Sequence, residues 1–179
     1  KGSHGWYEDD DWEKTVKPWP DTIDQWTHYL HGPDGNPVAS DTEVGPPNSL
    51  RRIGGPKWSR HHDHMASLTS MVSAGGRLFY IIDEGSRASI QLPSDWKLVA
   101  RDAFSGVELW KSKIKSWTYH KGRFRSGPAQ VTRLLVARGD RVYAPLGLSA
   151  AVSELDAISG KTLRTFENTT GAEEIVLIG

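Results

Sequence analysis

The stretch Ala100-Arg-Asp-Ala-Phe-Ser-Gly-Val-Glu-Leu-Trp110 decides the fold. It predicts a strand, a tight turn and a second strand that runs back along the first. An Asp carboxylate accepts backbone N–H groups in such a turn, and Gly supplies the positive φ that the turn needs. A weaker copy, Glu154-Leu-Asp-Ala-Ile-Ser-Gly-Lys-Thr-Leu-Arg164, follows 54 residues later. A repeat of short strands at this period predicts stacked β-units, and blades of a β-propeller are the best candidate.

The sequence on either side of the two turns supplies the remaining strands of two four-stranded antiparallel blades. The β-branched and aromatic content and the period-two alternation predict the first four strands at Met65–Ser73, Arg77–Ile82, Trp96–Arg101 and Val107–Lys111. The same order predicts the next four strands at Gln130–Ala137, Arg141–Ala144, Val152–Leu155 and Lys161–Phe166. A further strand is expected at Glu173–Ile178.

The chain is therefore expected to be all-β, with four consecutive regions. Residues 1–50 form an extended, Trp-rich lead-in, residues 51–116 and 117–167 form one blade each, and residues 168–179 begin a further blade. Two blades and one strand leave apolar strand edges unpaired, whereas a propeller closes with about four to eight blades. We expect the chain to be a segment of a larger ring and its first partner to be the remainder of that propeller, in the same or another chain.

Composition excludes several functions. The 22 basic and 22 acidic residues balance, so a broad nucleic-acid surface is not expected. No apolar run reaches the roughly 18–20 residues that span a bilayer. The chain has no cysteine, which removes disulfides, thiolate metal ligands and covalent c-type haem attachment from this segment.

The repeat resembles the signature A-x-D-x-x-[ST]-G-x-x-x-W of the PQQ-like (pyrroloquinoline-quinone repeat) β-propellers, among them bacterial repeat proteins described only as PQQ-binding-like. The first copy matches every fixed position, while in the second copy Glu154 replaces Ala and Arg164 replaces Trp. The resemblance implies that Trp110 docks one blade against the next, and that the second docking contact is altered. It also implies a periplasmic or extracellular location. It leaves activity open, because the family includes quinoprotein dehydrogenases and assembly scaffolds without cofactor.

One rim of the propeller is expected to collect the candidate ligand residues. Strands alternate in direction, so the loop entering a blade and the loop between its second and third strands share a face. These loops are residues 58–64, 83–95, 117–128 and 146–151, and the Asp-x-x-Ser-Gly turns fall on the opposite face. The candidates on the rim are Arg60, His61, His62, Asp63, His64, Glu84, Arg87, Tyr119, His120, Arg123 and Arg125.

The histidine cluster is the sharpest of these candidates. On a strand, His62 and His64 point the same way, so these two are the candidate metal ligands, with Asp63 or Glu84 as a carboxylate partner. The alternatives are ligand contact without a metal and a purely structural set of loop histidines. His120 with Arg123 and Arg125 could hold a carboxylate or sulfate, or form a solvated loop.

The function expected from the sequence is a binding or scaffold module whose specific ligand is left open, with a carbohydrate or a protein as candidate partner. The alternative is an enzyme, either a quinoprotein oxidoreductase or a metal-assisted carbohydrate-active enzyme with its site on the rim bearing His61–His64. Quinoproteins of the family use calcium, an Asp base and usually a vicinal disulfide. This segment has no cysteine, and Asp102 belongs to a turn. No cofactor is therefore expected in the segment, with PQQ or a divalent metal as the alternative.

Overall fold

The computed structural model describes residues 20–43, 67–89, 91–117 and 129–178, and also residues 15, 18, 45, 48–50, 54–55 and 60. The described chain is all-β, with two four-stranded antiparallel sheets in which each strand pairs with the next along the sequence. This is the architecture expected for two consecutive propeller blades. None of the described residues forms a helix that is both long and apolar enough to cross a bilayer.

The first sheet, called blade 1, contains strands β1 Leu68–Ala74, β2 Arg77–Asp83, β3 Trp96–Asp102 and β4 Glu108–Lys113. The second sheet, called blade 2, contains β5 Val136–Arg138, β6 Arg141–Pro145, β7 Val152–Asp156 and β8 Thr162–Phe166. The register shifts between Ala100 and Arg101 in blade 1, and between Glu154 and Leu155 in blade 2. These two shifts occupy equivalent positions of the repeat, so the two sheets share their irregularity as well as their strand order.

One predicted strand is wrong in its first half. Residues Ala129–Arg133 form a 3₁₀ helix, and pairing begins only at Val136. The Ser70 hydroxyl of β1 donates a buried hydrogen bond to the Val131 carbonyl, which satisfies a backbone acceptor that a strand neighbour would otherwise satisfy. Leu134 and Leu135, which directly follow this 3₁₀ helix, are fully buried in the core. A contact with a residue 61 positions earlier therefore overrides the local strand pattern.

The segment after blade 2 has no strand pairing in the structure. Residues 173–178 contain a bend at Glu173 and no strand. The Ile175 N–H donates to the Arg133 carbonyl at 3.1 Å, and the Leu177 N–H donates to Nε2 of His28 at 3.1 Å. Its assignment to a further blade stays a prediction.

The main hydrophobic core lies between the two blades. From blade 1 it takes Phe79 and Leu98, and from blade 2 Val142 and Leu155, all of them almost completely buried. Burial of apolar surface stabilises by about 25 cal/mol per Å², so this shared core is what holds the two sheets together. Trp110 of β4 packs on the edge of the same core.

The lead-in joins the first strands of both blades. The Ser73 N–H of β1 donates to the Trp26 carbonyl at 2.7 Å, and the Trp26 N–H donates to Oγ of Ser73 at 3.0 Å. One residue further, the Thr27 carbonyl accepts the Ala137 N–H of β5 at 3.0 Å. Within residues 20–43 the lead-in is thus a bridge between β1 and β5.

Candidate functional site

The two Asp-x-x-Ser-Gly turns use their polar groups internally. In blade 1, Oδ1 of Asp102 accepts the Ser105 N–H at 2.6 Å and the Phe104 N–H at 3.1 Å. In blade 2, Oδ1 of Asp156 accepts both the N–H and the hydroxyl of Ser159 at 2.7 Å. These bonds make both carboxylates part of their turns, each of which joins the third and fourth strands of its blade.

The same bonds explain the acidity of the two carboxyl groups. The N–H and hydroxyl of Ser105 hold the pKa of Asp102 below its ordinary value of 3.8, because hydrogen-bond donors favour the charged form. The hydroxyl and N–H of Ser159 likewise lower the pKa of Asp156. Both carboxyl groups are therefore ionised near neutral pH and act as hydrogen-bond acceptors in their turns. A general base works best with a pKa near the operating pH, so neither group is suited to that role.

Trp110 closes the contact between the blades on this turn face. Its indole Nε1 donates to the Ala157 carbonyl of blade 2 at 2.9 Å. The ring lies against Gly160, where an added Cβ would be 2.6 Å from Cδ2 of Trp110. Only a glycine at position 160 leaves room for the ring, so the turn of one blade is shaped by the tryptophan of the other.

At the opposite end of the strands, the segment between β2 and β3 is called the rim loop, of which residues 83–89 and 91–95 are described. Arg60 crosses the base of this loop: its Nη1 lies 2.7 Å from Oδ2 of Asp83, with side-chain exposures of 1% and 0%. The same guanidinium donates from Nε to the Ser86 carbonyl at 2.8 Å and from Nη2 to the Leu92 carbonyl. Arg60, expected at the ligand surface, is therefore a buried brace that holds both arms of the rim loop.

The other carboxylate oxygen of Asp83 completes the brace. Oδ1 accepts the Gly85 N–H at 2.9 Å and the Asp95 N–H at 2.8 Å. Burial alone raises the pKa of Asp83, but the N–H groups of Asp95 and Gly85 and the guanidinium of Arg60 outweigh it, so the pKa is lowered. The ion pair stays charged inside the protein, and its hydrogen bonds offset part of the desolvation cost.

The other two described rim candidates have different surroundings. Glu84 is bound by Nζ of Lys111 at 3.0 Å, and Lys111 also lies 3.2 Å from Glu108. Burial lowers the pKa of Lys111, but its hydrogen bonds to Glu84 and Glu108 outweigh that effect and raise it. Arg87, by contrast, is exposed near the tip of the rim loop. Glu84 therefore belongs to the packing of blade 1, and Arg87 is left as a surface cation.

The remaining predicted site residues lie outside the described residues. The metal site at His62 and His64 and the convergence of the rim loops stay predictions. Within the ranges that the structure describes, no group of three or more histidine, aspartate or glutamate side chains is placed to hold a metal ion. The undescribed candidates are His61, His62, Asp63, His64, Tyr119, His120, Arg123 and Arg125.

Sequence reasoning missed a polar site in the lead-in. His28 is only 6% exposed, with Nδ1 2.8 Å from Oγ1 of Thr27 and Nε2 accepting the Leu177 N–H. Burial lowers the pKa of His28, and the nearby charge of Arg138 lowers it further. A cavity of about 130 Å³ opens beside the imidazole, with Arg133 and Glu174 among the residues that line it. Nothing in the local sequence marks His28, because its partner is 149 residues away.

A second knot of hydrogen bonds fixes the lead-in itself. Oδ2 of Asp24 accepts the Ser40 N–H at 2.7 Å and lies 2.7 Å from Nε2 of His31. The Ser40 N–H is the largest influence, and together with the Gln25 N–H and His31 it lowers the pKa of Asp24 to about 2. His31 adopts a positive φ of 69°, and its carbonyl accepts the N–H groups of Thr27 and His28. This closed turn presents His28 toward the interior.

The fold defines the class of the protein: an all-β chain built of two consecutive four-stranded antiparallel blades of the propeller type. No protein-family model matches the chain, and no curated protein matches it. Among solved structures, the chain is similar to a europium-containing methanol dehydrogenase at 13% sequence identity and a TM-score of 0.38. The similarity covers 80% of this chain and only 23% of the length of that enzyme, and at this level it carries no argument about activity.

Proposed function

We propose that this chain is a binding or scaffold module within a larger PQQ-like β-propeller, and that the rim loop is its binding element. The observation that supports this most directly is the Arg60–Asp83 brace, whose side chains are 1% and 0% exposed. Buried charges are retained at a cost, and here they fix the two arms of one surface loop. Functional contacts in propeller-like folds concentrate on loops that a rigid scaffold holds in place.

The loop has the properties of a preorganised contact surface. Its base is satisfied by the hydrogen bonds of Arg60 and Asp83, while residues 86–89 near its tip are exposed. Because the base is already ordered, binding would cost little additional conformational entropy. Arg87 offers a planar guanidinium, which suits bidentate contact with a carboxylate. We therefore propose a protein or carbohydrate partner that carries carboxylates.

We also propose that the far face of blade 2 contacts the next blade of the ring. Arg164 occupies the place of the docking tryptophan, and its guanidinium lies 4.1 Å from the ring centroid of Phe166 and 3.4 Å from Glu154. A preorganised guanidinium can donate to a backbone carbonyl of a neighbouring turn, which is the role that the Trp110 indole plays at the first interface. In line with the family resemblance, the propeller would function in the periplasm or outside the cell.

The binding proposal is tested with arrays of acidic glycans and of proteins, probed with the full chain and with a variant whose residues 86–89 are replaced by Gly-Ser-Gly-Ser. We expect at least one carboxylate-bearing ligand to bind the wild type and to be lost, by tenfold or more, in the loop variant. Ile158→Ser, an exposed change on the opposite face, is the matched control and should retain binding. Equal binding by wild type and loop variant would contradict the proposal.

The enzyme alternative is tested on the same protein. Elemental analysis and absorption spectroscopy, after incubation with PQQ and Ca²⁺, measure whether a metal or quinone binds stoichiometrically. We expect neither. A bound metal that disappears in His62→Ala and His64→Ala, or a quinone absorption band, would replace the scaffold proposal with the enzyme.

A further inference from the structure

His28 connects two parts of the chain that lie far apart in sequence. It sits in the lead-in bridge, and its Nε2 accepts the N–H of Leu177 at 3.1 Å across a separation of 149 residues. The adjacent Ile175 N–H donates to the Arg133 carbonyl. The terminal segment, defined here as residues 172–178, is thus attached at blade 2 by these two backbone N–H groups and by the packing of Ala172 and Ile175 against the main core. Toward its end, the attachment at Leu177 depends on an imidazole.

The tautomer of His28 follows from its neighbours. Nε2 accepts the Leu177 N–H at 3.1 Å, and a neutral imidazole carries one proton, so Nδ1, 2.8 Å from Oγ1 of Thr27, is the protonated nitrogen. A second proton can only go to Nε2. Protonation would turn Nε2 from a hydrogen-bond acceptor into a donor. This donor would face the Leu177 N–H, which is also a donor.

We propose that His28 is a pH-sensitive clasp, which holds the terminal segment when the imidazole is neutral and releases it when Nε2 is protonated. The cavity of about 130 Å³ lies against His28 and the terminal segment, so water has a route to the ring. The terminal segment also forms one wall of a second cavity of about 250 Å³, whose opposite wall on blade 2 includes Tyr143, Val152 and Phe166, so its release would expose that wall to solvent. The clasp thus controls access to the face beside which a further blade or partner would pack.

The charges around His28 favour its neutral form. From β5, Arg138 repels a protonated ring, and from the terminal segment Glu174 attracts one. Arg133, the last residue of the 3₁₀ helix, lies at the cavity and 3.8 Å from Glu174, which weakens the attraction. From the lead-in, Tyr29 lines the cavity and His31 pairs with Asp24 instead. Burial is the largest cause of the lowered pKa of His28, and Arg138 adds to it.

The direction of the pH effect follows from that shift. The released imidazole takes up a proton near its ordinary pKa of 6.5, whereas the clasped imidazole takes it up only at lower pH. The released state therefore binds more protons between these two values, and the clasp weakens as pH falls below 6.5. Above that pH the clasp is fully formed.

The test is amide hydrogen exchange of the terminal segment in the full chain between pH 8 and pH 4.5, with rates corrected for the intrinsic effect of pH. We expect the protection factor of the Leu177 amide to fall about tenfold for each pH unit below the ordinary pKa of His28, until the pKa of the clasped ring is reached. In His28→Gln, whose carbonyl oxygen can take the place of Nε2 but does not titrate, protection should be independent of pH. Glu43→Gln, which removes an exposed titratable group of the lead-in that does not contact the clasp, should keep the full response.

Two further measurements keep the result interpretable. His28→Leu removes the acceptor, so its terminal segment should exchange rapidly at every pH, while the amides of β2 and β3 stay protected and show that the blades are folded. Because the chain has no cysteine, a fluorophore on Ile178→Cys reports the same release as a fall in anisotropy. A wild-type protection factor that is constant over this range, or an unchanged pH response in His28→Gln, would overturn the proposal.

Discussion

Blade 1 and blade 2 have the same strand order and the same turn, but they differ in what they do with their outer strand. The tryptophan of β4 reaches across to the next blade, where Nε1 of Trp110 donates to the Ala157 carbonyl. The equivalent Arg164 of β8 stays within its own sheet, against Glu154 and Phe166, and its side chain is 63% exposed. The difference shows that a repeat can keep its internal geometry while changing its contact with a neighbour.

The first residue of the second strand in each blade shows the same difference between contact with the next blade and contact within the sheet. Arg77 begins β2, and its Nη1 lies 3.1 Å from Oδ1 of Asp140 in the next blade. Arg141 begins β6 but lies 3.1 Å from Glu154 in its own sheet. At these two pairs of equivalent positions, the blade 1 side chain contacts the next blade, whereas the blade 2 side chain stays within its own sheet.

The largest expected loss of unfolding free energy is in the rim loop of blade 1, because a buried ion pair holds its base. Asp83→Ala would leave the guanidinium of Arg60 buried without its carboxylate, and we expect a loss of about 3–5 kcal/mol in unfolding free energy. The loop of blade 2, residues 146–151, has backbone bonds at its base instead, such as the Leu148 N–H to the Ser116 carbonyl. Urea unfolding measures the loss.

Asp95→Ala is the matched control in the same loop. The Asp95 side chain is 41% exposed and pairs with Lys97 at the surface, so its loss should cost less than about 1 kcal/mol. If both variants were equally stable, the ion pair of Arg60 and Asp83 would not be the brace of the loop.

The next largest loss of unfolding free energy is expected from a substitution in β4, and the matched substitution in β8 should cost less. Trp110→Ala removes a large, half-buried ring and an interblade hydrogen bond, and we expect it to lower the unfolding free energy by about 2–3 kcal/mol. Arg164→Ala should cost less than about 1 kcal/mol, because its ion pair is mostly exposed. Thermal and urea unfolding of both variants would show the difference, and equal losses would contradict the assignment of Trp110 to the interface.

A smaller effect isolates the steric part of that interface. Gly106 and Gly160 both have a φ of 71°, so an alanine at either position carries the same backbone strain of about 1–2 kcal/mol. Only at Gly160 does the new methyl meet the indole of Trp110, which should add about 1–2 kcal/mol. In a Trp110→Ala background the two glycine substitutions should cost the same. A persistent difference there would show that the ring is not the cause.

The smallest expected difference between the blades is in their turn carboxylates. Asp102 and Asp156 both have a lowered pKa, so each stabilises the fold above its ordinary pKa of 3.8. That contribution is lost as pH falls through the folded-state pKa. Carboxyl chemical shifts in an NMR titration should give both midpoints below 3.8. A midpoint at or above this value in one turn would break the equivalence of the two copies.

The turns were predictable from sequence because their physics is local. An Asp whose carboxylate accepts N–H groups two and three residues later, followed by a glycine at positive φ, is specified within five residues. The strand order followed from the repeat of this unit. The 3₁₀ helix before β5 was not predictable, since it depends on a hydrogen bond from Ser70 in the other blade.

The candidate site was less predictable for the same reason. Arg60 was expected among the ligand residues, but its partner Asp83 lies 23 residues away, and no local pattern indicates that the two are buried together. The sequence pattern indicates only that Asp83 lies at the boundary of a polar loop. His28 carried no signal either, because the acceptor role of its ring exists only when the terminal segment packs beside it.

The lead-in bridge also constrains how the chain is made. On the ribosome, Trp26 and Thr27 emerge long before Ser73 and Ala137, the residues whose strands they join. The contact with β1 can form once Ser73 has been synthesised, but the bridge is complete only after β5, and contacts this distant in sequence are among the slowest to form in folding. Until β5 is made, Thr27 lacks its partner in blade 2, and a stalled or truncated nascent chain would present that backbone to other chains. The bridge thus makes the joining of the two blades a late step in synthesis.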